Sequence, residues 1–520
     1  MLNSFRVKNL RSLKDTNTVI LRPITILLGE NSCGKSTFLR SFPLLKQSVE
    51  SPTRSSILWF GKYVDFGDFD EALIREKGAK EITFSFGLNV PLELYRTPLR
   101  IMRHKLKNDS KITIDLRLAS LGKDGLTRTA GIDLLIDGNI IKIDVNDSGK
   151  IGNFNVNGSD YQEFCETYSY SSAAKVLPYI RPKDDGTKDK IFRRWWMTMI
   201  SPKLRDSLIA VIKPFAHGRT STEVLEGLLH HAVIGNNKAM FAGFKNFSPS
   251  ATWKKKTASI TITSETYKKY RDLLLLTKIS LILYNLDDIL DTTFRRVTYV
   301  EPIRASVQRY YRSQDIAVSE LDSKGENLAM FIRNLSDREK TSLEHWTSGE
   351  LGLKIESTYN GGHVSLSITF KDSKEAYNLA DMGFGFSQVM PILVQIWSIL
   401  NRTPKGQIPN ITTPFICVIE QPELHLHPRL QAKLAEILVR AALAAKKAEI
   451  ELFLLLETHS EVIVNKIGLL TAEKTIEKED SSIVLFSKEI NSPNTKVEFS
   501  EYDESGSLQN WPYGFFDFEV

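Results

Sequence analysis

Apolar residues change their period along this chain, and the changes divide it. Phe5 to Asn9 and Ile24 to Leu28 read as strands, the second a short β-branched and Leu-rich run ending at Gly29. Helical spacing follows at once, with Phe38, Leu39, Phe42 and Leu45 on one face of a helix predicted from Lys35 to about Val49. Alternation then marks antiparallel strands at Glu81–Leu88 (EITFSFGL), Lys111–Leu118 (KITIDLRL) and Ile140–Val145 (IIKIDV). From about Tyr161 the pattern turns helical, through Phe192–Ile212 and Tyr267–Leu290. Loops are predicted at Asp184–Lys190 and Gly235–Lys238.

Near Leu353 the strand pattern returns. Lys354–Thr358 and Val364–Phe370 predict a hairpin across Asn360-Gly361-Gly362. A helix at 386–400, an apolar strand Phe415–Glu420, a helix Arg429–Ala445, a strand Leu452–Glu457 and a helix from Ser460 complete the order. Strands alternating with helices imply parallel pairing. The fold class expected is α/β: a P-loop nucleotide-binding domain split in sequence, with an antiparallel β subdomain and a mostly helical insertion. The corresponding divisions are 1–160, 161–345 and 346–520.

Composition changes this picture in two places. The 520 residues are 42% hydrophobic and 25% charged, which excludes collagen-like, mucin-like and wholly disordered classes. Net charge is only +6, but residues 181–320 hold 24 basic and 14 acidic side chains, so the positive field belongs to the middle. Cys33, Cys165 and Cys417 are too scattered for a disulfide framework or a zinc site. The charged start MLNSFRVKNLRSL does not read as a signal peptide. The apolar stretch Leu273–Leu286 is interrupted by Lys278, short of the ~20 residues that span a bilayer. No membrane partner and a cytoplasmic location are expected.

Gly29-Glu30-Asn31-Ser32-Cys33-Gly34-Lys35-Ser36-Thr37 matches G-x-x-x-x-G-K-[ST], between a strand and a helix as that motif requires. Its glycines let backbone N–H groups face phosphates, and the helix start adds positive potential. Gly29, Asn31, Gly34, Lys35, Ser36 and Thr37 are therefore expected to bind ATP, Lys35 reaching the β- and γ-phosphates. The Ser36 hydroxyl is expected on Mg²⁺. Phe415–Glu420 is an apolar run closing on a carboxylate, where a Mg²⁺ ligand would be delivered. Asp381 to Gln388 (DMGFGFSQ) is a second glycine-rich turn entering a helix, making Gly383, Gly385, Ser387 and Gln388 candidates for phosphate contact. A tight packing turn explains that segment equally well. His459 ends an apolar strand, at the edge where α/β sheets place ligands.

These elements, in this order, resemble an ABC-type ATPase of the SMC, RecF and OLD-like group. Ile419–Pro428 (IEQPELHLHP) with Glu457–Ser460 (ETHS), and Trp511–Asp517 (W-P-x-G-F-F-D), resemble a bacterial subgroup. Its relatives are ATPase subunits of Septu-type and retron-associated anti-phage systems. The resemblance covers 1–70, 295–312 and 375–520. It implies that Gly383–Gln388 is similar to the signature motif and His459 to the switch histidine. It also implies a homodimer or higher even oligomer with ATP between the P-loop of one protomer and the signature of the other. The function implied is an ATP-binding and slowly hydrolysing switch subunit that controls a separate effector, an HNH-type nuclease. The alternative is a RecF-like DNA-repair clamp. A self-contained nuclease is not expected, because only about sixty residues follow His459 and no Toprim-like acidic pattern stands among them.

One departure bears on catalysis. The resemblance makes Glu420 the Mg²⁺-binding acid, and at the next position, where the wider family usually has a carboxylate base, this chain has Gln421. A glutamine orients water but does not take its proton as a carboxylate does. Glu423 and His459 are the other candidates for the catalytic role, and the choice between Gln421 and Glu423 stays open. In the resemblance, Arg304 would face phosphates and the run Arg309-Tyr310-Tyr311-Arg312 nucleic acid; a solvated helix start with packed tyrosines explains the same residues. Phe192-Arg193-Arg194-Trp195-Trp196 and Trp253-Lys254-Lys255-Lys256 suit DNA or a retron RNA–DNA hybrid by stacking and charge, or else a core with a lysine-covered surface.

Overall fold

A six-stranded sheet organises the molecule. Its order is Val297–Val300, Phe415–Glu420, Leu452–Glu457, Ile24–Gly29, Ser481–Lys488 and Thr495–Ser500, parallel except at the last pair. The computed structural model describes residues 1–53, 55–95, 110–122, 125–171, 176–183, 200–304, 307–313, 318–371, 373–401, 413–488 and 494–511. Both sheet faces are covered, which is why these strands read as unbroken apolar runs. Ile416, Val418, Phe453 and Leu455 join one core, and Cys417, Ile419, Leu454 and Leu456 join the other.

On the first face lies the helix Lys35–Glu50. Phe38 and Phe42 pack on Phe5 at ring-centroid distances of 5.7 and 4.7 Å, and Phe38 reaches Phe486 at 6.1 Å. This helix is therefore wedged between the parallel sheet and a nine-stranded antiparallel sheet. The main path of that second sheet runs Ser159–Asp160, Ile151–Val156, Asn139–Val145, Thr127–Ile136, Ser110–Ser120, Glu81–Val90, Leu2–Leu10, Leu13–Asp15. The predicted strands are present with longer ends. On the other face are helices Phe384–Asn401, Pro428–Lys447 and Glu461–Ala472, and the hairpin Leu353–Asn360 with His363–Phe370 turns at Gly361 and Gly362, both with positive φ.

The middle is more mixed than its periodicity suggests. After a short 3-10 helix at Gln162–Thr167, Tyr168–Ser171 pairs with Tyr179–Pro182, and the Tyr168 ring packs on Phe154 at 5.6 Å. Helices Pro202–Ile212, Thr222–His230, Asn237–Lys245, Ala251–Thr257 and the 31-residue Glu265–Arg295 follow. The loop predicted at Gly235–Lys238 ends early because Asn236 caps the next helix, its side chain accepting the Ala239 N–H. Segment 161–345 also supplies the edge strand Val297–Val300 of the parallel sheet. Asp184–Lys190, Phe192-Arg193-Arg194-Trp195-Trp196 and all of Trp511–Asp517 except Trp511 lie outside the described residues. Among the described residues, no helix is long and apolar enough to cross a membrane.

Candidate functional site

The parallel strands deliver Gly29, Glu420 and Glu457 to one edge of the sheet, with Glu420 directly beside Glu457 in register. Gly29 (φ +150°) turns where a Cβ would lie 2.0 Å from the Phe486 carbonyl oxygen, so no side chain fits there. Gly34 (φ +85°) caps the helix Lys35–Glu50, and a Cβ there would meet Leu13 at 2.6 Å. Lys35 is 3% exposed and folds back, its Nζ donating to the carbonyls of Gly29 (2.9 Å) and Glu30 (2.6 Å). Burial holds its pKa below the usual lysine value. Asn31 is exposed and Thr37 half-buried.

The two acids have different partners. Ser36 Oγ donates to Glu457 Oε1 at 2.8 Å. Glu420 instead receives a two-pronged contact from Arg40, Nε to Oε1 at 2.8 Å and Nη2 to Oε2 at 2.7 Å, and the Tyr299 hydroxyl at 2.8 Å. Burial first, then the charge of Glu420, pushes the Glu457 carboxyl up to about 7. Burial also raises the Tyr299 phenol, and the bond to Glu420 raises Arg40. Sequence reasoning did not assign roles to Glu457, Arg40 or Tyr299. A signal existed for two of them: Leu452–Glu457 also closes an apolar run on a carboxylate, and Arg40 lies four residues from Ser36 on the same helix face.

The turn after Glu420 lies against the tip of the next strand. Gln421 takes φ +42°, an uncommon conformation for a residue with a side chain, and its N–H donates to the Glu457 carbonyl at 2.7 Å. Glu423 Oε1 accepts the His459 N–H at 2.7 Å, while Oε2 is buried without a partner among the described residues. Burial raises the Glu423 pKa. The exposed His459 has its pKa lowered by partial desolvation and by the charge of Lys35.

The second glycine-rich turn lies against the segment that follows Glu420, at His425 and Leu426. Gly383 (φ +76°) is exposed, and a Cβ on Gly385 would face the His425 carbonyl at 3.5 Å. Ser387 and Gln388 are buried, and Gln388 Nε2 donates to the Arg304 carbonyl at 3.3 Å. Arg304 itself is 1% exposed and attracted by Glu423; burial lowers its pKa to about 10. Arg309 pairs with Asp381, and Tyr310 is exposed. Trp253 is sealed among Phe215, Phe244 and Phe247, its indole N–H bonded to the Phe244 carbonyl at 2.9 Å, so it offers no stacking platform. Lys254, Lys255 and Lys256 cover the surface beside it.

Among the described residues no group of three or more His, Cys, Asp or Glu forms a metal cage. A hydroxyl and a carboxylate at the P-loop nevertheless fit a hard cation that takes its remaining oxygens from phosphates and water. The model of the AAA ATPase domain family, AAA_15, matches residues 1–464. No curated protein matches the chain. Among solved structures, the Smc head domain with an extended coiled coil, bound to the C-terminal domain of ScpA, from Pyrococcus furiosus is 11% identical. That match covers 96% of each chain with a TM-score of 0.33. The SMC head domain from Thermotoga maritima is 8% identical over 96% of this chain and 98% of its own, TM-score 0.35.

Proposed function

This chain belongs to the AAA ATPase domain family, and we propose that it acts as an ATP-gated switch: copies pair around ATP and thereby control a separate effector nuclease in anti-phage defence. The observation that carries the reading is the convergence of Lys35, Ser36, Glu457, Glu420 and His459 at one edge of the parallel sheet.

In this reading, phosphate oxygens replace the Gly29 and Glu30 carbonyls as partners of Lys35, and the first N–H groups of the helix Lys35–Glu50 close on the same phosphates. Mg²⁺, when bound, neutralises phosphate charge from the side of Ser36. Gln421 orients water without taking its proton, so turnover is slow and the closed state long-lived. The exposed turn at Gly383 and the N–H groups opening the helix Phe384–Asn401, backed by Ser387, meet the nucleotide of a second copy. ATP is then a shared ligand, and hydrolysis loosens the pair. Resemblance of IEQPELHLHP and ETHS to Septu-type and retron-associated subunits supports the defence role and an HNH-type effector. Lys254, Lys255 and Lys256 supply charge for a nucleic-acid partner.

Light scattering of the full chain with and without ATP tests the gate. Mass should double with ATP and stay constant for Lys35→Ala; an unchanged mass in the unmodified chain would sink the dimer. Co-expression with the products of adjoining genes tests the effector. An ATP-responsive nuclease in the complex supports the switch, whereas replication proteins would favour the RecF-like clamp.

A further inference from the structure

We infer that Glu457, together with Ser36, is the carboxylate that receives the divalent cation of the bound nucleotide, while Glu420 stands behind it as an anchor held by Arg40 and Tyr299. The inference rests on the reading of the P-loop as a nucleotide site and names the cation ligands within it.

Three observations carry it. The first is spacing. Ser36 Oγ and Glu457 Oε1 are 2.8 Å apart. Two oxygens on adjacent corners of a Mg²⁺ octahedron, each about 2.1 Å from the metal, lie about 3 Å apart. That spacing suits both oxygens to one cation, whose entry would replace the Ser36–Glu457 hydrogen bond. The second is an open valence. Glu457 is 3% exposed, and its Oε2 is buried with no hydrogen-bond partner among the described residues. A buried carboxyl oxygen with no partner is costly unless a ligand meets it.

The third is the state of Glu420. Both of its oxygens are already used, one by Arg40 Nε and Tyr299, the other by Arg40 Nη2. Arg40 thus already gives Glu420 a counter-charge and two hydrogen bonds, and Tyr299 adds a third. Glu457 makes no ion pair among the described residues, because Lys35 turns to its own loop carbonyls. Two carboxylates side by side are both ionised only with two counter-charges. Arg40 supplies one, and the cation supplies the other.

The arrangement follows from strand order. The strand ending at Glu457 lies next to the P-loop strand, and the strand ending at Glu420 lies one place further out. A carboxylate on the adjacent strand reaches a hydroxyl in the first turn of the P-loop helix. The carboxylate one strand away meets the same helix a turn later, at Arg40.

Mn²⁺, titrated by the loss of its free electron-paramagnetic-resonance signal in saturating ADP, tests the assignment without relying on turnover. Glu457→Gln should weaken Mn²⁺ binding about 10–100-fold. Its ADP affinity in EDTA should match that of the unmodified chain. Glu420→Gln should change Mn²⁺ affinity less than about threefold. Because that variant strands Arg40, the paired variant Arg40→Met/Glu420→Gln is measured beside it and should also keep Mn²⁺. Retention by Glu457→Gln with loss in the paired variant overturns the inference, and so does equal loss in both. Failure of the unmodified chain to bind ADP at all would instead remove the nucleotide reading, and the inference with it.

Discussion

The carboxylate of Glu423 accepts the backbone N–H of His459 at 2.7 Å, which fastens the turn following one parallel strand to the tip of the next. In the proposed switch, Glu423 is taken to serve this turn and Gln421 to orient the attacking water. Gln421→Glu should therefore raise kcat tenfold or more, since a general base is worth about 10²–10⁴-fold. Glu423→Gln retains an oxygen acceptor for His459 and should keep turnover within about threefold. Steady-state phosphate release measures both. Unchanged turnover in the first variant with loss in the second would transfer the catalytic role to Glu423.

Lys35→Ala removes the ammonium that lies on the loop carbonyls and that, in the proposed reading, moves to phosphate. Calorimetry should find no ATP binding, and the stabilisation that ATP confers on the unmodified chain should vanish with it. Unaltered affinity would refute the P-loop assignment.

Arg40→Ala leaves Glu420, 2% exposed, with the Tyr299 hydroxyl alone. Stranding a buried charge costs about 3–5 kcal/mol, and the partial exposure of Arg40 places the expected loss near the lower end, about 3 kcal/mol. Urea unfolding at pH 8 reads it. The paired variant Arg40→Met/Glu420→Gln should recover most of the loss, because neither charge then remains.

The Glu457 carboxyl titrates near 7 in the folded chain, above the ordinary glutamate value of 4.5. Between those values the folded state holds a proton that the unfolded state has released. This contribution is therefore fully present below pH 4.5 and is lost as pH rises through 7. The melting temperature of the unmodified chain, measured at pH 5.5 and 8.0 without nucleotide, should fall more than that of Glu457→Gln. Parallel curves would show that this carboxyl is ionised throughout.

Ser387 is 4% exposed, so a large substitution there would disturb packing before it disturbed assembly. Ser387→Ala is the milder change. It should leave ATP affinity of the single chain within about threefold while lowering the fraction of ATP-dependent dimer. Light scattering and calorimetry separate the two effects. Full dimerisation of this variant would confine Ser387 to a packing role.

Local patterns made much of this molecule legible. The strand–loop–helix of Ile24 to Glu50 and the strands Phe415–Glu420 and Leu452–Glu457 are visible because each announces itself within a few residues: a glycine spacing, an apolar run, a terminal acid. The hairpin after Leu353 was equally readable from Asn360-Gly361-Gly362. Helical periodicity misled between Tyr168 and Pro182, where aromatic packing on Phe154 selects a short hairpin instead. Trp253 beside three lysines looked the same in sequence whether it stacked on a partner or filled the core. Only the ring of Phe215, Phe244 and Phe247 around it decides.

The sequence by itself determined that this chain builds a P-loop and supplies carboxylates at the ends of apolar strands. Tertiary structure alone decided which carboxylate serves the Ser36 hydroxyl. Glu420 and Glu457 are alike in their local pattern, each closing a six-residue apolar strand. They differ because the Glu457 strand inserts between the other and the P-loop strand, which leaves Glu420 to Arg40 and Tyr299. Strand order is set by how whole faces of the sheet bury against two cores, an energy summed over residues hundreds of positions apart, and no short stretch of sequence contains it.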